Sequence, residues 1–185
     1  MISRKRLTNE PSRKKGLHAF KRAVLAACFA LSTMAAAANA PAIRGELEGE
    51  PVTWYLAESG RDTSATFVEH DDILLVDIAG FAEADSQALR DSLALRLHID
   101  MAGQTATLES AALFYFIGDE PTGPVYTAEG QALRVTLERV ERDGHGLSLE
   151  GELDGELNLS QALMDGAEPL NLDARFALRA REVEF

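Results

Sequence analysis

Residues 147–159 read LSLEGELDGELNL, a stretch in which leucine or glycine alternates with serine, asparagine or an acid. Side chains of a β-strand point alternately to the two faces of its sheet. This period of two therefore predicts a strand with one buried face and one acidic, solvated face. Residues 170–180 repeat the alternation with Asn, Asp or Arg on the polar face, and shorter runs occupy residues 93–99 and 133–137. The chain past residue 40 is thus predicted to be all-β.

Turn-forming sequences separate these runs. Gly, Pro, Asp and Ser cluster at residues 58–62, 118–124, 128–130 and 142–146. Short strands at this spacing predict a single antiparallel β-sandwich or flattened barrel of about 8–10 strands. Only residues 83–90 and 160–165 have a helix-compatible composition, and both segments are short. Residues 112–117, ALFYFI, are apolar on both faces, which predicts a strand covered from both sides.

The best-defined hairpin is predicted around Asp143-Gly144, because this dipeptide accepts the positive φ values of a tight primed turn. We expect Val140 to lie opposite Leu147 across that turn. Strict pairing beyond this point would mix core residues with acids. One extra residue near Glu138-Arg139, a β-bulge, keeps Leu137 on the core side, so a bulge is predicted there.

The first 40 residues differ from the rest in composition. Residues 1–22 carry eight basic side chains, and residues 23–38, AVLAACFALSTMAAAA, carry no charge. This is the order of the basic n-region and the apolar h-region of a signal peptide. We therefore predict a signal peptide over residues 1–40, cleaved near residues 38–42, and an exported β-domain over residues 41–185. The mature protein would be periplasmic or secreted.

Two alternatives stay open for this leader. A retained anchor needs about 20 strongly apolar residues, which an alanine-rich run supplies poorly, so no membrane span is expected in the mature form. Leu25-Ala26-Ala27-Cys28 looks like a lipobox, which would make the protein a lipoprotein anchored through Cys28. With the ordinary cut, Cys28 leaves with the leader, and the mature domain then has no cysteine for a disulfide.

The charge of the β-domain limits its partners. Past residue 40 there are ten arginines and no lysine against 29 acidic residues, so the formal net charge is −19. Such a domain repels phosphate backbones, and no nucleic-acid partner is predicted. Cations, basic proteins or a small ligand are the expected partners. The simpler interpretation is that the charge keeps an exported protein soluble.

An internal echo relates residues 43–50, IRGELEGE, to residues 149–156, LEGELDGE. If the two strands lie side by side, their carboxylates form an acidic face for weak divalent-cation binding, because hard cations bind several oxygens. The alternative is a solvated face whose charge is relieved by the arginines of residues 170–181.

Candidate site residues are few. A zinc ion would accept nitrogen and oxygen ligands from two histidine and acid pairs if the fold brought them together, and a metal-assisted hydrolase is one alternative function. These metal candidates are His70, Asp72, His98 and Asp100. Three aromatic residues could line an apolar cavity of the kind that small barrels enclose, which would suit a lipid carrier. These cavity candidates are Trp54, Phe67 and Phe114.

The sequence contains no strong catalytic motif. HExxH, G-x-S-x-G and a glycine-rich phosphate loop are all absent, and no cofactor is predicted. The acids past residue 40 are so numerous that no carboxylate pair among them is informative. We therefore predict a non-catalytic binding or structural module, with the apolar-ligand carrier and the hydrolase as alternatives.

One short stretch carries a family resemblance. Ser64-Ala65-Thr66-Phe67, then His70 and Gly80-Phe81, resembles the start of the periplasmic isoprenoid-binding barrels of the YceI-like family. The resemblance is confined to residues 64–81, and the later strands do not share it. It implies a barrel that binds an apolar ligand.

Overall fold

The computed structural model describes residues 41–59, 62–103, 105–120, 123–160 and 167–183. The predicted signal peptide, the motif at Cys28 and nearly all of residues 160–165 lie outside the described residues. The described chain forms strands and one 3-10 turn at Gly130–Ala132. The strands are β1 (Ala42–Leu47), β2 (Glu50–Leu56), β3 (Glu58–Ser59), β4 (Asp62–Thr63), β5 (Ala65–His70), β6 (Ile73–Phe81), β7 (Ser92–Asp100), β8 (Thr107–Phe116), β9 (Val125–Glu129), β10 (Leu133–Asp143), β11 (Gly146–Leu159) and β12 (Leu170–Glu182).

Ten of these strands form one sheet that closes into a ring. The ring runs through β12, β1, β2, β6, β7, β8, β9 and β11, and returns to β12. β2 and β5 pair one after the other with the same edge of β6, and β5 also pairs with β12. β9 and β10 likewise pair one after the other with the same edge of β11. The all-β flattened barrel is therefore confirmed. The sheet is mixed, since β5 pairs parallel with β12 and every other pairing among the described residues is antiparallel.

The alternation of apolar and polar residues determines which side chains lie in the interior of the barrel. The leucines at 147, 149, 153 and 157 are buried, and the acids between 153 and 157 point outward and are exposed. Gly151 and Gly155 occupy inward positions of β11, because neighbouring residues approach each of them closely. A Cβ on Gly151 would lie 2.8 Å from Cζ of Phe176, so the glycine leaves room for that ring.

The predicted hairpin and bulge are both present, with the register displaced. The two loop residues are Gly144 and His145, and Gly144 has the positive φ of 56° that the first position of a type II′ turn requires. The loop centre is one residue later than expected, so the pairing moves by two, and Val140 lies opposite Leu149 instead of Leu147. The bulge falls between Leu137 and Arg139, as predicted.

Three other expectations are corrected. The echoing segments do not lie side by side, because β12 pairs with β1 on one edge and with β11 on the other. Residues 83–90 form bends and turns instead of a helix. Phe114 and Phe116 are half-buried on the outer surface of β8, because a barrel wall has only one interior side. No helix in the described part of the chain is long and apolar enough to cross a membrane.

Candidate functional site

The four metal candidates lie at one end of the strands β5 to β7. His70 and Asp100 flank Ile73 in one row across β6, so a whole strand separates them. His98 lies two residues along β7 from Asp100, and Asp72 lies in the turn between β5 and β6. Nowhere in the described ranges do three or more His, Cys, Asp or Glu side chains converge on a metal position. A zinc site at these residues stays a prediction from the sequence.

The three cavity candidates lie on different sides of the barrel wall. Trp54 and Phe67 point inward and are 0% and 1% exposed. Both contact the apolar cluster that fills the interior. Phe114 alternates with the buried Leu113 and Tyr115, so it faces the outer surface. The structure brings the first two into one core and does not place the third there.

A polar cluster closes the barrel end near Trp54. The indole N–H of Trp54 donates to the backbone carbonyl of Asp91 at 2.9 Å, and the Tyr115 hydroxyl donates to the Asp91 carboxylate at 3.1 Å. Asp91 has a φ of 56°, a left-handed conformation that is uncommon outside glycine. Next to it, Arg90 and Asp119 form a two-pronged ion pair with distances of 2.7 and 3.0 Å.

The protonation state of Tyr115 indicates a structural role for this cluster. Burial, followed by the charge and the hydrogen bond of Asp91, raises the pKa of Tyr115 to about 12. The phenol therefore stays protonated at neutral pH and donates to the carboxylate. A hydroxyl held in this form is a poor base or nucleophile, so the cluster has the properties of a structural tie between loops.

A second cluster closes the opposite end of the barrel. Arg142 lies on the inward side of the β10–β11 hairpin, with its guanidinium 5.7 Å from the centre of the Phe67 ring. The same guanidinium contacts the carboxylates of Glu69 and Glu182. His145 Nδ1 lies 3.1 Å from a Glu182 oxygen. Arg142 thereby ties the hairpin to β5 and β12 through an ion pair at each and a cation–π contact.

Among the described residues, β10 is the one strand of the closed sheet that pairs along a single edge. The cause is the 3-10 turn at Gly130–Ala132, where Gly130 has a positive φ of 58°. β9 pairs with residues 112–116 of β8, and after the turn the chain leaves β8 and follows β11 alone. We call the space between β10 and residues 107–111 of β8 the seam.

Apolar side chains line the inner side of the seam. Five half-buried apolar residues that border the core lie on β10 or on residues 107–111 of β8. They are Leu108, Ala111, Val135, Leu137 and Val140. At the head of the seam, His98, Ser110, Ala112 and Glu129 contribute to a groove of about 610 Å³.

The outer side of the seam carries four carboxylates, at Glu109, Glu129, Glu138 and Glu141, and two guanidinium groups, at Arg134 and Arg139. Glu109, Glu129 and Glu138 are exposed there. Arg139 pairs with Glu141 at 2.6 Å and also reaches across to β11, and its hydrogen bond and charge hold the pKa of Glu141 below its ordinary value. In the described part of the chain, the seam therefore combines an unpaired backbone edge, an apolar floor and an acidic rim.

The acidic face implied by the echo has a different composition from the one expected. Glu46 lies opposite Asp173, and Asp173 lies opposite Asp154, so three acids form one row across β1, β12 and β11. In the next row, Arg175 contacts Glu152 at 2.8 Å. The arginines of β12 thus relieve part of this face, and cation binding on it stays a prediction.

Sequence reasoning missed three features. Nothing local marks Asp91, because its hydrogen-bond partners Trp54 and Tyr115 are distant in sequence. Arg142 could have been found, since it follows the inward Val140 by two residues and so shares its face. The free edge of β10 depends on strand order, which a single strand does not encode.

Comparison of the chain with protein-family models, curated proteins and solved structures finds no match. The likeness of residues 64–81 to the isoprenoid-binding barrels therefore stays an expectation from the sequence.

Proposed function

We propose that this protein is an exported, non-catalytic module that binds another protein with the outer surface of its barrel. One observation carries the proposal: the chain's own side chains occupy the barrel interior. Trp54, Phe67, Leu97 and Leu149 are all 0–1% exposed, and they belong to one apolar cluster. A carrier barrel instead surrounds an empty volume with its inward side chains.

Polar groups also support surface binding over an enclosed ligand. In the described part of the chain, every buried side-chain nitrogen or oxygen has a hydrogen-bond partner. A site for an enclosed small molecule normally presents a few inward polar groups that orient the ligand. Here the inward indole N–H of Trp54 is already used by Asp91. Two grooves among these residues, one beside Arg179 and one beside Ser110, are lined mostly by exposed residues.

Export is supported by the leader alone. The basic residues 1–22 and the uncharged residues 23–38 have the order that the export machinery reads. The domain beyond them has neither cysteine nor lysine, so its stability would rest on the core and on arginine ion pairs.

Native mass spectrometry tests two parts of the proposal, the cleavage of the leader and the absence of an enclosed ligand. The full chain is expressed with its leader, and the protein recovered outside the cytoplasm is measured without denaturation. We expect a polypeptide that begins between residues 39 and 43 and carries no lipid or metal. A stoichiometric lipid or metal ion would overturn surface binding. A polypeptide that keeps Met1, or one lipidated at Cys28, would overturn cleavage near residues 38–42.

A further inference from the structure

We infer that the seam binds an extended strand in which apolar and basic side chains alternate, added to the free edge of β10. This inference rests on the proposed function and names the place and the partner chemistry. The partner is a segment of a different protein. Its backbone pairs with β10, its apolar side chains cover the floor of the seam, and its basic side chains meet the acidic rim.

The backbone of β10 supplies the pairing groups. β10 has 11 residues, about twice the mean strand length, and one edge is unpaired among the described residues. The Thr136 carbonyl approaches Gly151 on β11, so Val135, one residue earlier, directs its N–H and C=O toward the seam. Exposed groups of this kind accept an added strand, as in proteins that bind peptides by β-augmentation.

The side chains along the seam specify alternation. Val135, Leu137 and Val140 point inward but stay half-buried, and Leu108 faces them from β8. A strand added here directs every second side chain to this floor, so apolar residues at those positions complete the burial. The intervening side chains lie on the outer surface, beside the carboxylates of the rim.

Charge selects a basic partner and argues against a second copy of the chain. The outer rim carries Glu109, Glu129 and Glu138, and the domain as a whole carries −19. Two such domains repel each other, whereas a basic strand is attracted and finds cross-strand partners. The bulge at Glu138 also interrupts the regular pairing that two copies of β10 would need. Charges and bulges of this kind prevent an exposed strand edge from pairing with any other strand. A strand of opposite charge is therefore the one that the edge of β10 selects.

The first experiment uses two labelled peptides and the protein recovered from cells that express the full chain. One peptide of about nine residues alternates Lys with Val or Ile. The second has the same composition with all lysines grouped at one end. We expect the alternating peptide to bind at least tenfold more tightly near physiological salt. Backbone amide exchange should slow at residues 133–143 when it binds.

Variants then separate the backbone edge from the side chains. Val135→Pro removes the N–H that faces the seam, and Val135→Ala shortens the side chain but keeps that N–H. We expect Val135→Pro to bind the alternating peptide at least tenfold more weakly than Val135→Ala. Circular dichroism checks that both fold. If the proline variant does not fold, Glu138→Lys replaces it, with Glu50→Lys as the control of equal charge. Glu138→Lys should then weaken binding severalfold while Glu50→Lys does not.

Three results would overturn the inference. Equal binding of the two peptides would reduce the interaction to charge alone. Protection from exchange outside β10 and β8 would place the partner elsewhere. A dimer of this chain that Val135→Pro dissociates would identify a second copy as the occupant. None of these results introduces a molecule into the barrel, so the proposed function fails separately, by a lipid or metal in the native mass spectrum.

Discussion

Replacing Trp54 with phenylalanine tests whether the barrel interior is a packed core. Trp54 is fully buried, its indole N–H donates to the Asp91 carbonyl, and its ring meets Tyr115 edge-on at 6.3 Å. Phenylalanine removes the donor and leaves the carbonyl without that partner, which costs about 1–2 kcal/mol. The missing second ring leaves a void that costs roughly as much again. We expect the free energy of unfolding to fall by about 2–4 kcal/mol.

The assay is urea denaturation followed by far-ultraviolet circular dichroism, because the substitution removes the chain's single tryptophan and its fluorescence. Tyr55→Phe is the matched control. Tyr55 is adjacent in sequence to Trp54 but lies on the outer face, so its change should alter the free energy of unfolding by less than about 0.5 kcal/mol. A similarly small effect of Trp54→Phe would refute the packed interior. It would also revive the apolar-ligand carrier as the better interpretation.

Three further predictions concern stability. The pKa of Tyr115 is raised from 10.0 to about 12. The stability that its neutral form contributes should therefore be fully present below pH 10 and be lost as the pH rises through about 12. Denaturation measured across this pH range should show no such loss for Tyr115→Phe. Gly151→Ala places a Cβ 2.5 Å from the Thr136 carbonyl oxygen, and we expect the free energy of unfolding in urea to fall by about 1–3 kcal/mol. An unchanged free energy of unfolding would show that β10 and β11 can move apart at no cost. Arg142→Leu leaves two carboxylates without their shared cation, and the thermal midpoint should drop, partly recovering when Glu182→Gln is added.

The strand pattern could be predicted from the sequence because burial imposes it directly. Residues 147–159 and 170–180 alternate so regularly that a one-residue shift would place acids in the core. The same logic located the bulge near Glu138. It could not fix the hairpin register, because Asp143-Gly144 and Gly144-His145 are both chemically acceptable loops, and only the pairing of the whole hairpin distinguishes them.

The order of the strands and the candidate site could not be predicted in the same way. The echo at residues 43–50 and 149–156 suggested two neighbouring strands, but β12 lies between them, with Arg175 in contact with Glu152 of β11 and Asn171 in contact with Glu48 in the turn after β1. The seam exists because β9 pairs with β8 only over residues 112–116 and β10 pairs with β11 alone, so it depends on the strands β8 to β11 together. Local sequence carries no signal for such an arrangement.

The position of β12 also affects when the chain can fold. β12 separates β1, the earliest strand of the ring, from β11, so neither of these strands has its full set of neighbours until the ribosome has released residues 170–182. Contacts between such distant segments form slowly, since a long loop must close before any of them is made. The ring of strands therefore cannot close before residues 170–182 have been made.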